Sequence, residues 1–560
     1  MPVALLNHEL APGCSSLVRN RPAVRSTIAA SPLAAPPVPP SPPTIVQLPA
    51  SSSAAGAPAP AGPLKDPAAL PGPRGLPLIG SLHRWDASRA HLLLEQWARE
   101  YGQIYRVKLG PLPIVVISEP DAMMSVLRER PHDFRRHFAV RPIFREMGID
   151  GLFSAEGDDW RRQRPLVMRA LDPAHLRQFF PVIVTATERL QARWLAAAAA
   201  GAPVDVRADL TRYTVDVTCS LAFGTDVTTL SREEADPLQH HLDTIFTGIA
   251  RRINAIWPTW RWLRTPTDRR IDRSLAAAGK AVHGFIDNTR AVMQRQPELR
   301  KAPRNLLQAL LAANEDARLS DDELHGNVMT LLLAGEDTTA NTIAWALHLL
   351  SLNPDVLKAA RTEAIEALSA ENPNSTGGTR MVALRDFDST RELPLIEGIV
   401  LESLRLKPVA PLNMFTAIRD TQLMGTRIPA RTLVCILKRP PATSESFFPR
   451  ANDFQPQRWL AGAAAASGAG SQSAQAQAGI SGGGRRAFMP FGGGPRFCPG
   501  RYLALLEAKM VLTTTLAAFE LQATSDPVSE LMGMTMQPQG LRMMLKLHKP
   551  ATERAPTGLA

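Results

Sequence analysis

Cysteine is nearly absent from this chain: four residues in 560, at Cys14, Cys219, Cys435 and Cys498. Four thiols cannot staple a fold of this size, and no two form a CxxC pair. A disulfide scaffold, a cysteine zinc knuckle and a thioredoxin-type redox site are thereby excluded. Aromatic residues are few, at 6%, and no basic cluster is interleaved with them. The +11 net charge therefore does not read as a nucleic-acid footprint, and no nucleic-acid partner is expected. Its 53 arginines and 10 lysines are spread along the whole length. No run of about 18 apolar residues occurs, so no transmembrane segment is expected. With 45% apolar and 21% charged residues, the composition is that of a globular protein with a large core.

Proline, by contrast, is abundant, and it is concentrated at the start. Residues 1–70 are rich in Pro, Ala and Ser, as in the run from Ser31 to Pro40. Such a segment buries too little surface to offset its ordering entropy and reads as a disordered extension. It is poor in acids and carries Arg19, Arg21 and Arg25, which leaves an organelle transit peptide open as an alternative. Order is expected from Pro71 to about residue 549, with a flexible tail at 550–560. Residues 461–484 are almost entirely Ala, Gly, Ser and Gln and read as a low-complexity surface insertion.

Between these limits helical patterns dominate. A helix is expected over His91–Tyr101, then two short strands, Ile104–Leu109 and Ile114–Ile117, separated by Pro111 and Pro113. The clearest helix opens on the capping box Ser320-Asp-Asp-Glu323 and runs to Leu352, ahead of Asn353-Pro354. Its middle is apolar nearly all round, so it belongs at the centre of the molecule. Further helices are expected over Leu393–Leu406 and Arg501–Phe519, with β-rich pieces between. The fold class is mainly α with small β-sheets.

Cys498 carries the strongest chemical signal. It lies in Phe491-Gly-Gly-Gly-Pro-Arg-Phe-Cys-Pro-Gly500, a glycine-rich turn just before a helix. Free amides and the positive helix end favour an anion there, and glycines let a flat ligand approach the backbone. The segment resembles FxxGxRxCxG, the haem-ligand loop of the cytochromes P450. Five such fixed positions recur by chance about once in ten thousand chains of this length. Other signatures of that family stand in the same order: Trp160-Arg-Arg-Gln-Arg164, Ala334-Gly-Glu-Asp-Thr-Thr339, Glu402-Ser-Leu-Arg405 and Phe454-Gln-Pro-Gln-Arg-Trp459. The text after the ExxR segment is similar to the longer members, including the fatty-acid hydroxylases.

The resemblance, over about 71–549, implies a P450 fold with haem b between the long helix and the cysteine loop. Cys498 would be the thiolate ligand of iron, which pushes electron density onto the metal and favours O–O cleavage. Arg496 and Arg164 would pair with the haem propionates, Phe491 would pack beside the thiolate and Trp160 at the haem edge. Gly335 would leave room for dioxygen. Asp337 and Thr338 would form the acid–alcohol relay that delivers protons. Glu402, Arg405 and Arg458 would form a buried structural triad. Glu336 has no assigned part.

The implied activity is monooxygenation of a small apolar substrate by O₂, with electrons ultimately from NAD(P)H. No flavin or iron–sulfur motif is found, so a separate ferredoxin or flavodoxin-type donor is expected, steered by Arg485, Arg486, Arg501 and Lys509. Peroxygenase or isomerase chemistry and a non-catalytic haem protein are the alternatives, and the intact Asp337-Thr338 pair argues for O₂ activation. Pocket walls are expected from Phe138–Phe153, Leu331–Ala334, Val409–Met414 and Met532–Met536. The protein is expected to be a soluble cytoplasmic monomer. One departure stands out: where the family often has His-Arg-Asp, this chain has Lys438-Arg-Pro-Pro441.

Overall fold

Order in the computed structural model begins earlier than the composition suggested. Residues 64–232, 237–255, 257–317, 319–371, 383–460, 482–524 and 526–548 are described. Lys65 bridges to Thr426, and Leu70 is buried, so residues 64–70 belong with the fold rather than the tail. The rest of the expected extension, most of the 461–484 insertion and the C-terminal tail lie outside the described residues; 482–484 begin a short helix.

In chain order, α1 (Ala90–Tyr101) leads into β1 (Ile104–Leu109) and β2 (Leu112–Ile117), followed by α2 (Pro120–Arg128), β3 (Phe134–Arg136) and α3 (Val140–Glu146). Long helices follow: α4 (Gly157–Ala170), α5 (Pro173–Ala199) and, after β4 (Val204–Asp205), α6 (Val206–Phe223), α7 (Pro237–Ile253), α8 (Pro266–Arg295), α9 (Leu306–Ala317), α10 (Asp321–Ser351), α11 (Pro354–Glu371) and α12 (Pro394–Leu406). Then come β5 (Leu412–Ala417), β6 (Thr421–Leu423), β7 (Thr426–Ile428), β8 (Leu433–Leu437), α13 (Arg439–Ala442) and α14 (Gly482–Ala487). The last elements are α15 (Arg501–Ala518), β9 (Phe519–Ala523), β10 (Ser529–Met532), β11 (Met536–Gln539) and β12 (Arg542–Leu547).

The main sheet has the order β1-β2-β8-β5-β3. β1 and β2 form the expected hairpin, with Leu109 opposite Leu112. β2 and β8, which pair in parallel, are continuous apolar runs because helices cover both their faces. On one face Val115, Ile117, Val434 and Ile436 pack against Met123, Val126 and Leu127 of α2. On the other, Ile114, Val116, Leu433 and Cys435 pack against Leu94 and Trp97 of α1. Burial pushes the Cys435 thiol up to about 12, which makes it an inert core residue. Cys219 is likewise fully buried, in α6. Among the described cysteines only Cys498 is half-exposed.

The helix α10 has the capping box read from the sequence: Ser320 Oγ accepts from the Glu323 amide, and Glu323 accepts from the Ser320 amide. It lies centrally, touching α6, α8, α11, α12 and α15. The segment after α3 crosses it closely. A Cβ on Gly326 would lie 2.1 Å from the Asp150 carbonyl, and one on Gly151 would lie 2.3 Å from the Gly326 carbonyl. Two glycines thus permit backbone contact there, and Asn327 fixes it by accepting from the Leu152 amide at 2.9 Å.

The floor beneath the cysteine loop is tied by the Glu402 cluster. Arg405 donates to both carboxylate oxygens of Glu402, at 2.7 and 2.8 Å. Arg458 and Trp459 add bonds at 3.1 and 2.9 Å. Arg405 also donates to the Ala442, Ala451 and Asp453 carbonyls, so α12 holds the irregular chain that precedes the loop. Glu402 and Arg405 are fully buried.

Candidate active site

Gly492 and Gly494 give the cysteine loop its path, with φ of 75° and 63°. At Gly494 a Cβ would also lie 2.3 Å from the Leu127 carbonyl, so α2 and the loop touch through backbone. The Cys498 amide donates to the Phe491 carbonyl at 2.9 Å, which closes the turn and sets Phe491 beside the cysteine. Gly500 caps α15, and its amide bond, with Arg164, Arg501 and Lys438, favours the thiolate. Burial acts against them more strongly and holds the Cys498 thiol above its ordinary range. The sequence alone suggested a net-stabilised thiolate; in the protein by itself desolvation dominates. A metal cation at sulfur reverses that balance, since a coordinating thiol is deprotonated.

Arg164 and Trp160 come from α4, four residues apart on one face. Arg164 donates to the Phe497 carbonyl at 2.6 Å and lies over the Phe497 ring, so it is held against the cysteine loop itself. Arg496 lies over Trp160, 4.6 Å from its ring centre. Arg496 also donates to the Ala155 carbonyl at 2.8 Å and pairs with Glu156. Two arginines that sequence reasoning missed join it. Arg130 is buried over Phe415, and Arg136 lies over Phe153 and donates to its carbonyl at 2.6 Å. The one signal they left was their place in the arginine-dense stretch Arg128–Arg136. Burial disfavours the charge of all three guanidiniums, and it lowers Arg496 to about 10. Lys438, at the departure noted above, is also buried and lowered to about 8.

Beyond its first turn α10 is buried or half-buried except at Ala334, which is exposed, with Leu331 and Thr338 half-buried on the same face. At Gly335 a Cβ would lie 2.9 Å from Thr218 Oγ1 of α6. The glycine thus also answers to helix packing. Thr338 Oγ1 donates to the Ala334 carbonyl at 2.9 Å. Asp337 accepts from Arg207 at 3.3 Å, from Asn341 at 2.9 Å and from the Thr535 hydroxyl. Its acid is thus fixed by α6, by its own helix and by the β10–β11 turn. Glu336 is buried, and desolvation keeps its carboxyl well above the usual range.

These residues fit a flat, dianionic macrocycle with an axial thiolate. The Nε atoms of Arg130, Arg496 and Arg501 are buried without a hydrogen-bond partner. Residues 491–504 are half-buried throughout apart from exposed Pro495, and the facing helix is open at Ala334. Of the four cations expected to steer a donor, Lys509 does not serve. It is buried and bonded to Glu397 at 3.0 Å. Arg501 lies between the Phe497 and Tyr502 rings, 4.6 Å from each, while Arg485 and Arg486 are exposed.

Comparison with known proteins agrees with this geometry. The family model described as Cytochrome P450 matches residues 70–545. Cyclooctatin synthase of Streptomyces melanosporofaciens is 30% identical over 79% of this chain and 87% of its own length. Pentalenene oxygenase of Streptomyces avermitilis is 26% identical, covering 85% and 97%. A chloroplastic relative, cytochrome P450 97B2 of Glycine max, is 28% identical, covering 79% and 80%.

Proposed function

Because the chain belongs to the cytochrome P450 family and is a haem-thiolate monooxygenase, we propose from that premise which residues do the work and what they act on. Bound haem supplies activation of dioxygen, one atom of which enters the substrate while the other leaves as water. Cys498 Sγ would ligate the haem iron. Arg496, Arg130 and Arg136 would hold the propionates, with Trp160 keeping Arg496 in place. Arg164 keeps Phe497 and the ligand loop in register. The observation that carries this reading is the meeting of one half-exposed cysteine with buried, partner-poor arginines from three distant segments.

Asp337 and Thr338 move protons. Asp337 is the fixed acid. The Thr338 hydroxyl, now turned back on Ala334, accepts a proton from one side and donates on the other by rotating about χ1. Beside them Phe153, Leu331 and Met534 pack half-buried against one apolar cluster, and the Met536 amide donates to the Val409 carbonyl at 2.8 Å. Three of the four segments named from the sequence thus share one apolar cluster, with the fourth bonded to the strand beside Met534, a surrounding that excludes water and suits an apolar substrate.

For substrate we propose a compact cyclic hydrocarbon or alcohol; the sequence left the substrate open, and its likeness to the fatty-acid hydroxylase branch is not supported by the relatives found. Two relatives are named for cyclooctatin and pentalenene, and a third is named cyclooctat-9-en-7-ol 5-monooxygenase. Electrons come from a partner, proposed to be a small acidic ferredoxin or flavodoxin using NAD(P)H, which meets Arg485 and Arg486. No described helix is long and apolar enough to cross a membrane. A titration of cyclic terpene hydrocarbons and fatty acids, followed by the absorbance change on displacement of the iron-bound water, tests the substrate. Saturable change with the cyclic compounds is expected; a response to fatty acids alone would overturn the assignment.

A further inference from the structure

Glu156 sits at the N-cap of α4, where an acidic side chain ordinarily accepts from the free amides of the first turn. Glu156 makes no such bond. Its carboxylate is turned instead into the arginine cradle. One oxygen accepts from Arg496, and the other lies 3.5 Å from Arg130 Nη2 and accepts from the Arg136 amide at 3.1 Å. It is buried with only 9% of its surface exposed, and it is the carboxylate that acts on all three guanidiniums. Three cations less one anion leave two positive charges facing the cofactor. Haem b presents two propionates.

We propose that Glu156 is a positioning residue with two separable effects on the haem site. Its hydrogen bonds to Arg496 and the β3 backbone, and its ion pair with Arg130, aim these groups at the propionates. Its charge reduces the positive field at the iron, and so lowers the potential at which iron accepts an electron. The reasoning is electrostatic: reduction adds one negative charge, and a fixed negative charge in a low-dielectric surrounding disfavours it. A carboxylate spent on capping, or exposed on the first turn of α4, would do neither. Asp158 is such a group, with its side chain 94% exposed. The proposal rests on the haem-thiolate reading, and the measurements separate the two.

The test compares wild type with Glu156→Gln, Glu156→Ala and the control Asp158→Asn, all as purified holoproteins. A 450 nm band on reduction with CO in the wild type secures the underlying reading; its absence would remove that reading before Glu156 is in question. Glu156→Gln keeps the shape and one of the two acceptor oxygens but removes the charge. It is expected to raise the ferric–ferrous midpoint while releasing haem to apomyoglobin more slowly than Glu156→Ala. Glu156→Ala removes both, and is expected to raise the midpoint and also to lose haem about 10- to 100-fold faster. Asp158→Asn moves neither. A Glu156→Gln midpoint no higher than that of Asp158→Asn overturns the charge role. Unchanged haem release in Glu156→Ala overturns the aiming role.

Discussion

Glu402→Ala is expected to lower the stability of the protein by about 3–5 kcal/mol, because it leaves two buried guanidiniums without their counter-charge. Arg405 is fully buried, and Arg458 nearly so. The Trp459 indole loses its acceptor as well. Against a total of about 5–15 kcal/mol for a typical domain, that is enough to empty the folded state in many preparations. The contrast is Asp388→Ala, which removes an exposed bidentate pair with Arg177 and should leave the unfolding midpoint nearly unchanged. Urea unfolding followed by far-ultraviolet circular dichroism reads both. Equal midpoints for the two variants would mean that the triad is not the fastening beneath the ligand loop.

Asp337→Asn should lower product formation about 10²- to 10⁴-fold, the range expected when a positioned proton donor is lost. Asparagine retains one acceptor oxygen for Arg207 and Asn341, and its amide can donate to the Thr535 hydroxyl, so the helix and its neighbours stay in place, while the group no longer cycles a proton. Substrate binding, read from the absorbance change, is expected to stay within a few-fold of wild type. Thr338→Ala has a different signature: NAD(P)H consumption continues, and hydrogen peroxide appears in place of product. Product formation by Asp337→Asn at the wild-type rate, with normal coupling, would take Asp337 out of the relay.

The sequence made the ligand loop legible because its constraints are local. Two left-handed glycines, a backbone approach at Gly494 and a helix start at Arg501 all fall within ten residues. The α10 capping box was legible for the same reason. The propionate cradle was not. Arg130, Arg136, Glu156 and Arg496 are brought together by sheet pairing and helix packing, across as many as 366 positions, and no periodicity marks such a meeting. The packing need at Gly335 was not legible, because a glycine in a helix can serve a ligand or a neighbouring helix, and Thr218 comes near it only in the fold, not in the pattern of the helix. Lys509 was misread because a charged residue two turns into a helix looks exposed until its partner, Glu397 of α12, is seen.

The central claim is that Cys498 binds haem iron as a thiolate. The direct measurement is the absorbance difference between the dithionite-reduced protein with and without CO, recorded for wild type and Cys498→Ser side by side. The account predicts a band near 450 nm in the wild type and its loss in Cys498→Ser. A wild-type band near 420 nm in freshly purified, catalytically competent protein, or a 450 nm band that survives the substitution, would contradict it.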